Sequence, residues 1–306
     1  MAQTGTKTCS ATRWKRRYGS MRFAHLTGRQ RPLAVIEGDR VAPLGGALEG
    51  VGTVDELIAA GPQAWDAARE AAAAALDSGE SLQPGVLEAP LKAPSKIACV
   101  GLNYHDHCRE TGMVAPERPL IFAKFASSLV GPGAAIQWPD GLTEQVDWEV
   151  ELAVVIGRRI RHASEPEALD AIFGYTAAND VSARDLQFAD QQWVRAKSID
   201  TFCPLGPAIV TPDEFGDPQD KRLIARVNGE TMQDSTTAEM IFGVAEIVSF
   251  LSQACTLEPG DVILTGTPWG VGGFRNPPVF LKPGDTVEIE VEGVGVLANH
   301  VGRSTT

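Results

Sequence analysis

The sequence predicts an α+β fold that is mainly β, and three observations support this class. From residue 145 onward, short apolar segments of strand length follow one another with few helical patterns between them. Strands and helices do not alternate regularly, so a series of parallel βαβ units is not indicated. The turns Pro259-Gly260-Asp261 and Pro283-Gly284-Asp285 each lead into a predicted strand, as expected where one β-strand follows another.

Residues 21–92 are predicted to form a small N-terminal α/β domain. Residues 21–44 contain apolar segments of strand length joined by a turn. A helix is predicted to begin near Thr53, and a second one covers Ala64 to Leu76, where the alanine-rich sequence has high helix propensity. The prolines between Leu82 and Pro94 predict an extended linker at the end of this domain.

Residues 1–20 are predicted to be a disordered extension. They carry basic residues and no acidic residue, but they lack the hydrophobic stretch of a secretory signal. A transit peptide would share the basic composition, yet this segment is short and has no clear amphipathic face.

The larger domain is predicted over residues 93–306. Strands dominate it, with helices expected near residues 165–171 and 237–254. The predicted strands cover residues 97–102, 120–125, 145–157, 172–180, 207–211, 222–228, 261–266 and 285–291. The glycine-rich segment 266–273 lacks the Gly-Lys-Ser/Thr sequence of a phosphate-binding loop, so a nucleotide site of that kind is not indicated.

Charge and cysteine content limit the partners and the compartment. The chain has 306 residues and a net charge of −12, which disfavours nucleic acid or an anionic membrane surface as a partner. No apolar run approaches the roughly 20 residues that a membrane-spanning helix needs. The five cysteines are odd in number and show no CxxC spacing, which indicates reduced thiols rather than disulfides or a zinc site. We therefore expect a cytoplasmic protein.

Two glutamates and an aspartate form the strongest candidate site. Glu149 and Glu151 lie two residues apart in an apolar run, so on a β-strand their side chains point to the same face. Asp180 ends a second apolar segment. Like charges held close together raise one another's pKa unless a cation neutralises them, and three carboxylates suit a hard divalent ion such as Mg²⁺ or Mn²⁺.

The alternative is that the two glutamates lie on a solvated face of their strand. The run from Val150 to Ile156 is apolar at both even and odd positions, which indicates burial on both faces and argues against this alternative. We therefore predict that Glu149, Glu151 and Asp180 converge on one metal ion. If these side chains lie far apart, or if an arginine or lysine fills the gap between them, a mechanism that depends on the metal fails and only the fold assignment survives.

A histidine and a glutamate form a second candidate site. His107 and Glu110 follow the predicted strand 97–102, and in a helix residues i and i+3 lie on one face. A carboxylate bonded to one imidazole nitrogen raises the basicity of the other, so the pair could activate water. The alternatives are a surface histidine beside an unrelated glutamate, His105 as the base, and Cys108 as a nucleophile.

Two further segments are weaker candidates. Lys197 lies in a polar loop, where it could bind a substrate carboxylate or stabilise an oxyanion, although a solvated lysine is the simpler interpretation. The segment from Thr265 to Gly273 contains small residues whose backbone N–H groups could approach an anion, although a wide turn explains the composition equally well.

Together these segments resemble the fumarylacetoacetate hydrolase family. Six motifs occur in order over residues 93–300, namely VGLNYHDHCRE, FAKFASSLVGPG, DWEVELAVVIG, GYTAANDVSARDLQ, KSIDTFCPLGP and ILTGTPWGVG. The resemblance is to bacterial acylpyruvases and to members similar to 2-hydroxyhepta-2,4-diene-1,7-dioate isomerase. It implies a mixed β-sandwich roll or barrel that forms a homodimer and has its active site at the mouth of the barrel.

The resemblance also implies roles for individual residues. It implies a Mg²⁺ or Mn²⁺ ion bound by Glu149, Glu151 and Asp180, and a water-activating base, His107, with Glu110 as its partner. The substrate-facing polar residues of the family correspond to Lys197 and Gln187. Thr267, with Gly266 in the same turn, corresponds to the threonine that meets the substrate carboxylate, and Lys124 and Ser127 lie in another of the family's motifs. The chain departs from the family at Trp148, where tyrosine is common, and at Ala196, where glycine is common; neither change removes a predicted ligand.

The function implied is that of a metal-dependent hydrolase that acts on a 2-oxo acid. It would cleave a carbon–carbon bond of an acylpyruvate or related 2,4-diketo acid to give pyruvate and a carboxylic acid, as in the catabolism of aromatic compounds. Decarboxylation or tautomerisation of a 2-oxo diacid such as oxaloacetate is the alternative, because the same metal and enolate chemistry serves both. A non-enzymatic metabolite-binding protein is a further alternative, but the chain keeps the His–Glu pair and all three carboxylates.

Overall fold

The structure is a computed structural model that describes residues 22–77, 79–83 and 85–303. The strands of this part of the chain are β1 (Arg22–Leu26), β2 (Leu33–Glu37), β3 (Arg40–Pro43), β4 (Glu80–Ser81), β5 (Leu87–Glu88), β6 (Ile97–Gly101), β7 (Leu120–Lys124), β8 (Leu129–Val130), β9 (Ala135–Ile136), β10 (Val146–Asp147), β11 (Val150–Ile156), β12 (Ile172–Asn179), β13 (Ser182–Ala183), β14 (Cys203–Val210), β15 (Arg222–Val227), β16 (Glu230–Thr236), β17 (Val262–Leu264), β18 (Thr286–Val291) and β19 (Gly295–Val301). The α-helices are α1 (Val54–Ala60), α2 (Pro62–Asp77), α3 (His105–Thr111), α4 (Glu165–Asp170), α5 (Arg184–Asp190), α6 (Val194–Lys197), α7 (Pro212–Phe215) and α8 (Val244–Ala254), and short 3₁₀ turns lie at Ala126–Ser128 and Thr237–Glu239.

Two sheets organise these strands. In the larger sheet, which has twelve strands, the continuous order is β4-β3-β2-β1-β14-β12-β11-β17-β6-β7, with β5 paired to β1 and β8 paired to β14. The smaller sheet has the order β16-β15-β18-β19-β9, and β10 pairs with β13 alone. The predicted mainly β, α+β class is confirmed. Over the described ranges the larger sheet stays open between its edge strands β4 and β7, so it does not close into the barrel that the resemblance allowed.

Strand β11 is buried on both faces, as its sequence predicts. Its even-numbered side chains pack into the core between the two sheets, against residues such as Leu223 of β15. Ala153 and Val155 point the other way, into a second core that includes Leu57 of α1. Because both faces are covered, polar side chains at the start of this strand are largely shielded from bulk water.

The N-terminal strands extend the larger sheet. β1 pairs antiparallel with β14, so that Phe23 lies opposite Ile209. The predicted helix start near Thr53 is observed, because Thr53 and Glu56 form a reciprocal capping box at the first turn of α1. The division of the chain between residues 92 and 93 stays a prediction, and the prediction for residues 1–20 lies outside the described residues.

The helix predicted over residues 237–254 is shorter in the structure and begins at Val244. The side chain of Asn103 explains the late start. It accepts a hydrogen bond from the N–H of Phe242 at 2.8 Å and donates one to the carbonyl of the same residue at 3.1 Å, which holds Phe242 outside the helix. Across the described residues, no helix combines the length and the apolar character that crossing a membrane requires.

A buried histidine joins three segments of the N-terminal region. Nδ1–H of His25 donates to the carbonyl of Ala89 at 2.8 Å, and Nε2 accepts the N–H of Val54, the first residue of α1, at 2.7 Å. This pair of bonds requires the neutral ring, since a protonated imidazole has no acceptor. Burial lowers the pKa of His25 below the ordinary 6.5, although the Ala89 carbonyl opposes the shift.

We predict that this histidine makes the protein less stable in mild acid. The unfolded chain binds the proton more readily than the folded chain, so the contribution of neutral His25 is present above pH 6.5 and is lost as the pH falls through and below that value. One such group contributes a slope of at most about 1.4 kcal/mol per pH unit in the free energy of unfolding. Urea unfolding between mildly acidic and neutral pH measures this slope.

His25→Gln should flatten the curve of unfolding free energy against pH. His300→Gln is the matched control, because His300 is exposed on β19. Parallel curves for the wild-type protein and His25→Gln would contradict the prediction.

Candidate metal centre and active site

Three carboxylates meet where β11 begins and β12 ends. The two strands pair antiparallel, with Glu151 opposite Ala178, and the N–H of Asp180 donates to the carbonyl of Glu149 at 3.0 Å. One oxygen of each carboxylate lies within 4.8 Å of the other two, and all three residues are buried. The structure therefore brings together Glu149, Glu151 and Asp180, as the sequence predicts, and their role as metal ligands stays a prediction.

Three buried cations surround these carboxylates. Lys197 Nζ lies 2.9 Å from Oε2 of Glu149 and 2.7 Å from Oδ2 of Asp180, so a lysine bridges two of the three groups. Lys124 Nζ lies 2.6 Å from Oδ1 of Asp180. Arg184 Nη1 lies 2.7 Å from Oε1 of Glu149. Lys197 therefore fills the gap between Glu149 and Asp180, which is the condition stated above for rejecting the mechanism. The condition is met for this pair of carboxylates only, because no described ion pair reaches Glu151.

The cations shift the pKa values of the carboxylates unequally. Burial by itself would raise the pKa of Glu149, but Lys197 and then Arg184 outweigh it and lower the pKa to about 2. Burial would likewise lower the pKa of Lys197, but Asp180 and Glu149 outweigh it and raise that pKa above its ordinary value. For Glu151, burial followed by the charges of Asp180 and Glu149 raises the pKa well above its ordinary value.

The donor set fits a divalent cation despite the bridging lysine. A carboxylate has about four lone-pair positions on its two oxygens, so an oxygen that accepts from Lys197 can still bind an ion. Glu151 accepts only the N–H of Gly266, at 2.6 Å, among the described residues, and no described salt bridge reaches it. With Asp147, four carboxylates face three cations at this site, and Glu151 is the carboxylate that no described salt bridge reaches. A hard divalent cation with oxygen ligands would supply positive charge beside it.

Asp147 fixes the arginine of the site. Its Oδ2 accepts from Nε of Arg184 at 2.8 Å, and its two oxygens accept the N–H groups of Gly272 and Gly273 at 2.7 and 2.8 Å. A Cβ atom at Gly272 would lie 2.0 Å from the carbonyl oxygen of Val279, so only glycine fits here. The glycine-rich segment thus holds a carboxylate of the protein rather than an anion from solution.

Arg184 is a site residue that the sequence patterns did not indicate. Its Nη1 donates to Oε1 of Gln187 at 3.0 Å, and its Nη2 is buried with no hydrogen-bond partner in the described part of the chain. A clue was available, because Arg184 and Gln187 lie three residues apart in one motif and therefore share a face of α5.

The predicted histidine–glutamate pair is present on α3. Nδ1–H of His107 donates to Oε2 of Glu110 at 2.9 Å, and Oε1 of Glu110 accepts the N–H of Gly270 at 2.8 Å. Since Nδ1 is held by the carboxylate, Nε2 is the nitrogen left to face a substrate. The rivals are less suited, because His105 is exposed and burial raises the pKa of the Cys108 thiol.

These groups line a cavity of about 220 Å³. Its polar lining consists of His107, Glu149, Glu151, Arg184, Gln187, Lys197 and Thr267, together with Thr111. Its apolar lining includes Phe122, Phe188, Trp193 and Phe274. Behind the lining, Glu110 supports His107, Gly266 binds Glu151, and Lys124 pairs with Asp180. Ser127, by contrast, is exposed and is not part of the cavity wall.

Comparison with known proteins gives consistent likenesses. The family profile described as fumarylacetoacetate (FAA) hydrolase C-terminal matches residues 96–302. The bovine protein (Bos taurus) named oxaloacetate tautomerase FAHD2A, mitochondrial, is 53% identical over 215 residues, which cover 70% of this chain and 68% of the relative. The solved fumarylacetoacetate hydrolase of psychrophilic Exiguobacterium antarcticum has a TM-score of 0.82 and 39% identity, and the match covers 93% of this chain and 100% of that chain.

A further solved structure contains a metal. The maleylpyruvate hydrolase of Sphingobium sp. SYK-6, in complex with manganese(II) and pyruvate, has a TM-score of 0.77 and 30% identity, and the match covers 93% of this chain and 100% of that chain. That likeness and the buried carboxylate group described above together support a divalent cation, without separating Mg²⁺ from Mn²⁺.

The predicted cytoplasmic location is wrong, because the bovine relative and its human counterpart are named as mitochondrial proteins. The prediction used the number and spacing of the cysteines, which indicate a reducing environment. Such an environment is not unique to the cytoplasm, so these features do not identify the compartment.

We predict that Glu151 is indispensable for binding a divalent cation. Glu151→Gln removes the carboxylate that lacks an ion-pair partner, so Mn²⁺ affinity should fall at least about 100-fold, beyond the 10–100-fold typical of residues that only orient a ligand. Calorimetric titration or electron paramagnetic resonance with Mn²⁺ measures the affinity. Glu144→Gln, at an exposed glutamate, is the matched control. Undiminished Mn²⁺ binding by Glu151→Gln would show that the ion is held elsewhere or by the other groups alone.

Proposed function

The chain belongs to the fumarylacetoacetate hydrolase family of enzymes, and from this premise we propose that it catalyses keto–enol tautomerisation of a 2-oxo diacid of the oxaloacetate type. This activity was the alternative in the sequence analysis, and it is better supported than carbon–carbon bond hydrolysis. The bovine relative named as an oxaloacetate tautomerase matches more than two thirds of the chain at 53% identity.

The choice of a diacid rests on Nη2 of Arg184, a hydrogen-bond donor without a partner among the described residues. Nη2 is buried, has no partner among the described residues and belongs to a side chain that lines the cavity. A buried guanidinium donor without a partner is costly, and a carboxylate is the group it binds best. An acylpyruvate with an uncharged acyl group has one carboxylate, next to its carbonyl, whereas oxaloacetate has a second one that would reach Arg184.

The remaining residues of the cavity supply what enolisation needs. A divalent cation bound by Glu149, Glu151 and Asp180 would act as a Lewis acid toward the 2-oxo acid end of the substrate. His107, through Nε2, would accept the proton from the carbon between the carbonyl and the distal carboxylate. Glu110 stabilises the imidazolium that results, because its Oε2 lies 2.9 Å from Nδ1.

The proton balance of this reaction needs no other reactant. The proton that His107 takes from carbon is returned to the carbonyl oxygen, which gives the enol, and the reverse transfer gives the keto form. Lys197 supplies positive charge beside the developing oxyanion, and the gain is large because the site is buried. No carbon–carbon bond breaks and no water is consumed.

Hydrolysis is the second candidate, and two observations favour it. The His107–Glu110 pair has the arrangement of a base that activates water, and the neighbour with manganese and pyruvate is named as a hydrolase. The three candidate activities differ in their products. Tautomerisation releases nothing, hydrolysis of an acylpyruvate releases pyruvate and a carboxylic acid, and decarboxylation of oxaloacetate releases carbon dioxide.

The homodimer predicted from the resemblance remains a proposal, and light scattering coupled to size-exclusion chromatography would test it.

We predict that the protein loaded with Mg²⁺ or Mn²⁺ interconverts the keto and enol forms of oxaloacetate without releasing carbon dioxide. The ultraviolet absorbance of the enol follows the reaction, and mass spectrometry identifies any products. His107→Ala should lower kcat by about 10²–10⁴-fold, the usual contribution of a general base, and should keep Mn²⁺ affinity. His105→Ala, an exposed histidine on the same helix, should behave as the wild-type protein.

Two results would count against this assignment. A higher kcat/KM for acylpyruvate cleavage than for oxaloacetate tautomerisation would favour hydrolysis. An unchanged rate in His107→Ala would remove this histidine from the mechanism.

We also predict that Arg184 selects the diacid. Arg184→Lys keeps the positive charge beside Glu149 and Asp147 but loses the guanidinium Nη2 donor. KM for oxaloacetate should therefore rise about 10-fold or more. Exchange of the pyruvate methyl hydrogens with D₂O, followed by NMR, tests the same site with a monoacid and should change much less. Arg195→Lys, at an exposed arginine, is the control. Equal losses with both substrates would contradict a role in binding the distal carboxylate.

A further inference from the structure

A buried glutamine connects the smaller sheet to the active site. Gln233 lies on β16, the edge strand of that sheet, and has no exposed surface. Its Oε1 accepts the N–H of Val150, the residue between Glu149 and Glu151, at 2.9 Å. Its Nε2 donates to Oγ1 of Thr267 at 2.9 Å and also reaches backbone carbonyls of the loop that follows. One side chain therefore links the carboxylate strand to the loop that contains Thr267.

The orientation of this amide is fixed by its neighbours. The N–H of Val150 can only donate, and the carbonyl of Pro268, 2.8 Å from Nε2, can only accept. Exchanging the amide oxygen and nitrogen would place donor against donor at one end and acceptor against acceptor at the other. Nε2 is therefore the group that faces Thr267.

Close backbone packing keeps the glutamine in this place. Gly270, in the same loop as Thr267, has a φ of +99°, and a Cβ there would lie 2.3 Å from the carbonyl oxygen of Met232 and 3.1 Å from Cα of Gln233. The loop thus rests directly on β16, which a side chain at this position would prevent.

The consequence concerns the hydroxyl proton of Thr267. A threonine hydroxyl has one donor and two acceptor positions. Since it accepts from Gln233, its proton must point elsewhere, and no described residue accepts it. Thr267 lines the cavity, so the proton is available to a bound anion.

We propose that Gln233 is a positioning residue that makes the Thr267 hydroxyl a hydrogen-bond donor to a carboxylate bound in the cavity. The role of this carboxylate as part of a tautomerisation substrate rests on the proposed function, but the binding step itself does not.

A double-mutant cycle tests the proposal by binding alone. Oxalate, a small dicarboxylate, is titrated calorimetrically into the Mn²⁺-loaded full-length wild-type protein, Gln233→Met, Thr267→Val and the double variant. Each single substitution should weaken oxalate binding about 10-fold or more, as expected for loss of a hydrogen bond to a charged group. The double variant should bind no more weakly than Thr267→Val, because Gln233 acts through Thr267.

A matched control separates positioning from stability. Gln219 has a similar bridging role away from the cavity, since its Oε1 accepts the N–H of Val244 at 2.8 Å and its Nε2 contacts the carbonyl of Thr237 at 3.5 Å. Gln219→Met should lower the melting temperature and leave oxalate affinity unchanged.

If Gln233→Met does not fold, Gln233→Glu gives the same test. Its carboxylate still accepts the N–H of Val150 but accepts from Thr267 instead of donating, so oxalate binding should weaken as in Thr267→Val. Unchanged oxalate affinity in the Gln233 variants, losses that multiply in the double variant, or no oxalate binding by the wild-type protein would each overturn the proposal. A protein that shows the coupled losses but does not tautomerise oxaloacetate would overturn the proposed function only.

Discussion

Burial of like charges is the constraint on which the active-site region depends. The carboxylates at the junction of β11 and β12 lie in a sheet covered on both faces, where an uncompensated charge destabilises a protein by several kcal/mol. Each compensating group comes from a different segment: Lys124 from the end of β7, Arg184 from α5, Lys197 from α6, and the N–H of Gly266 from the loop after β17. The same four contacts that make burial tolerable therefore fix the positions of four segments around the cavity.

The sequence predicted the part of this arrangement that depends on local pattern. The apolar run from Val150 to Ile156 indicates a doubly covered strand, and the i, i+2 spacing places Glu149 and Glu151 on one face of it. The i, i+3 spacing of His107 and Glu110 likewise indicates their contact, once the segment is helical. In each case the partners are so close in sequence that secondary structure alone decides their distance.

The ion pairs could not be predicted in this way, because they join residues far apart in the chain. Lys197 and Glu149 are separated by 48 residues, and Lys124 and Asp180 by 56. A lysine or arginine in a polar segment is more often solvated than buried, so only the packed structure shows that Lys197 bridges two carboxylates. The metal prediction was limited for the same reason. The sequence pattern shows where the carboxylates converge, but it does not show which lysines and arginines lie beside them.

The ring of Phe274 contacts both His107 and Arg184, the two groups that would act on a diacid. The ring of Phe274 lies 5.9 Å from the imidazole of His107 in an edge-to-face arrangement, and its centroid lies 5.9 Å from Cζ of Arg184. His107, the proposed proton acceptor, and Arg184, the proposed hydrogen-bond donor to the distal carboxylate, therefore pack against one side chain, which limits their independent movement. Enolisation of a diacid requires a base near the carbon that adjoins the distal carboxylate, so a base and a carboxylate-binding group fixed against the same ring suit this reaction.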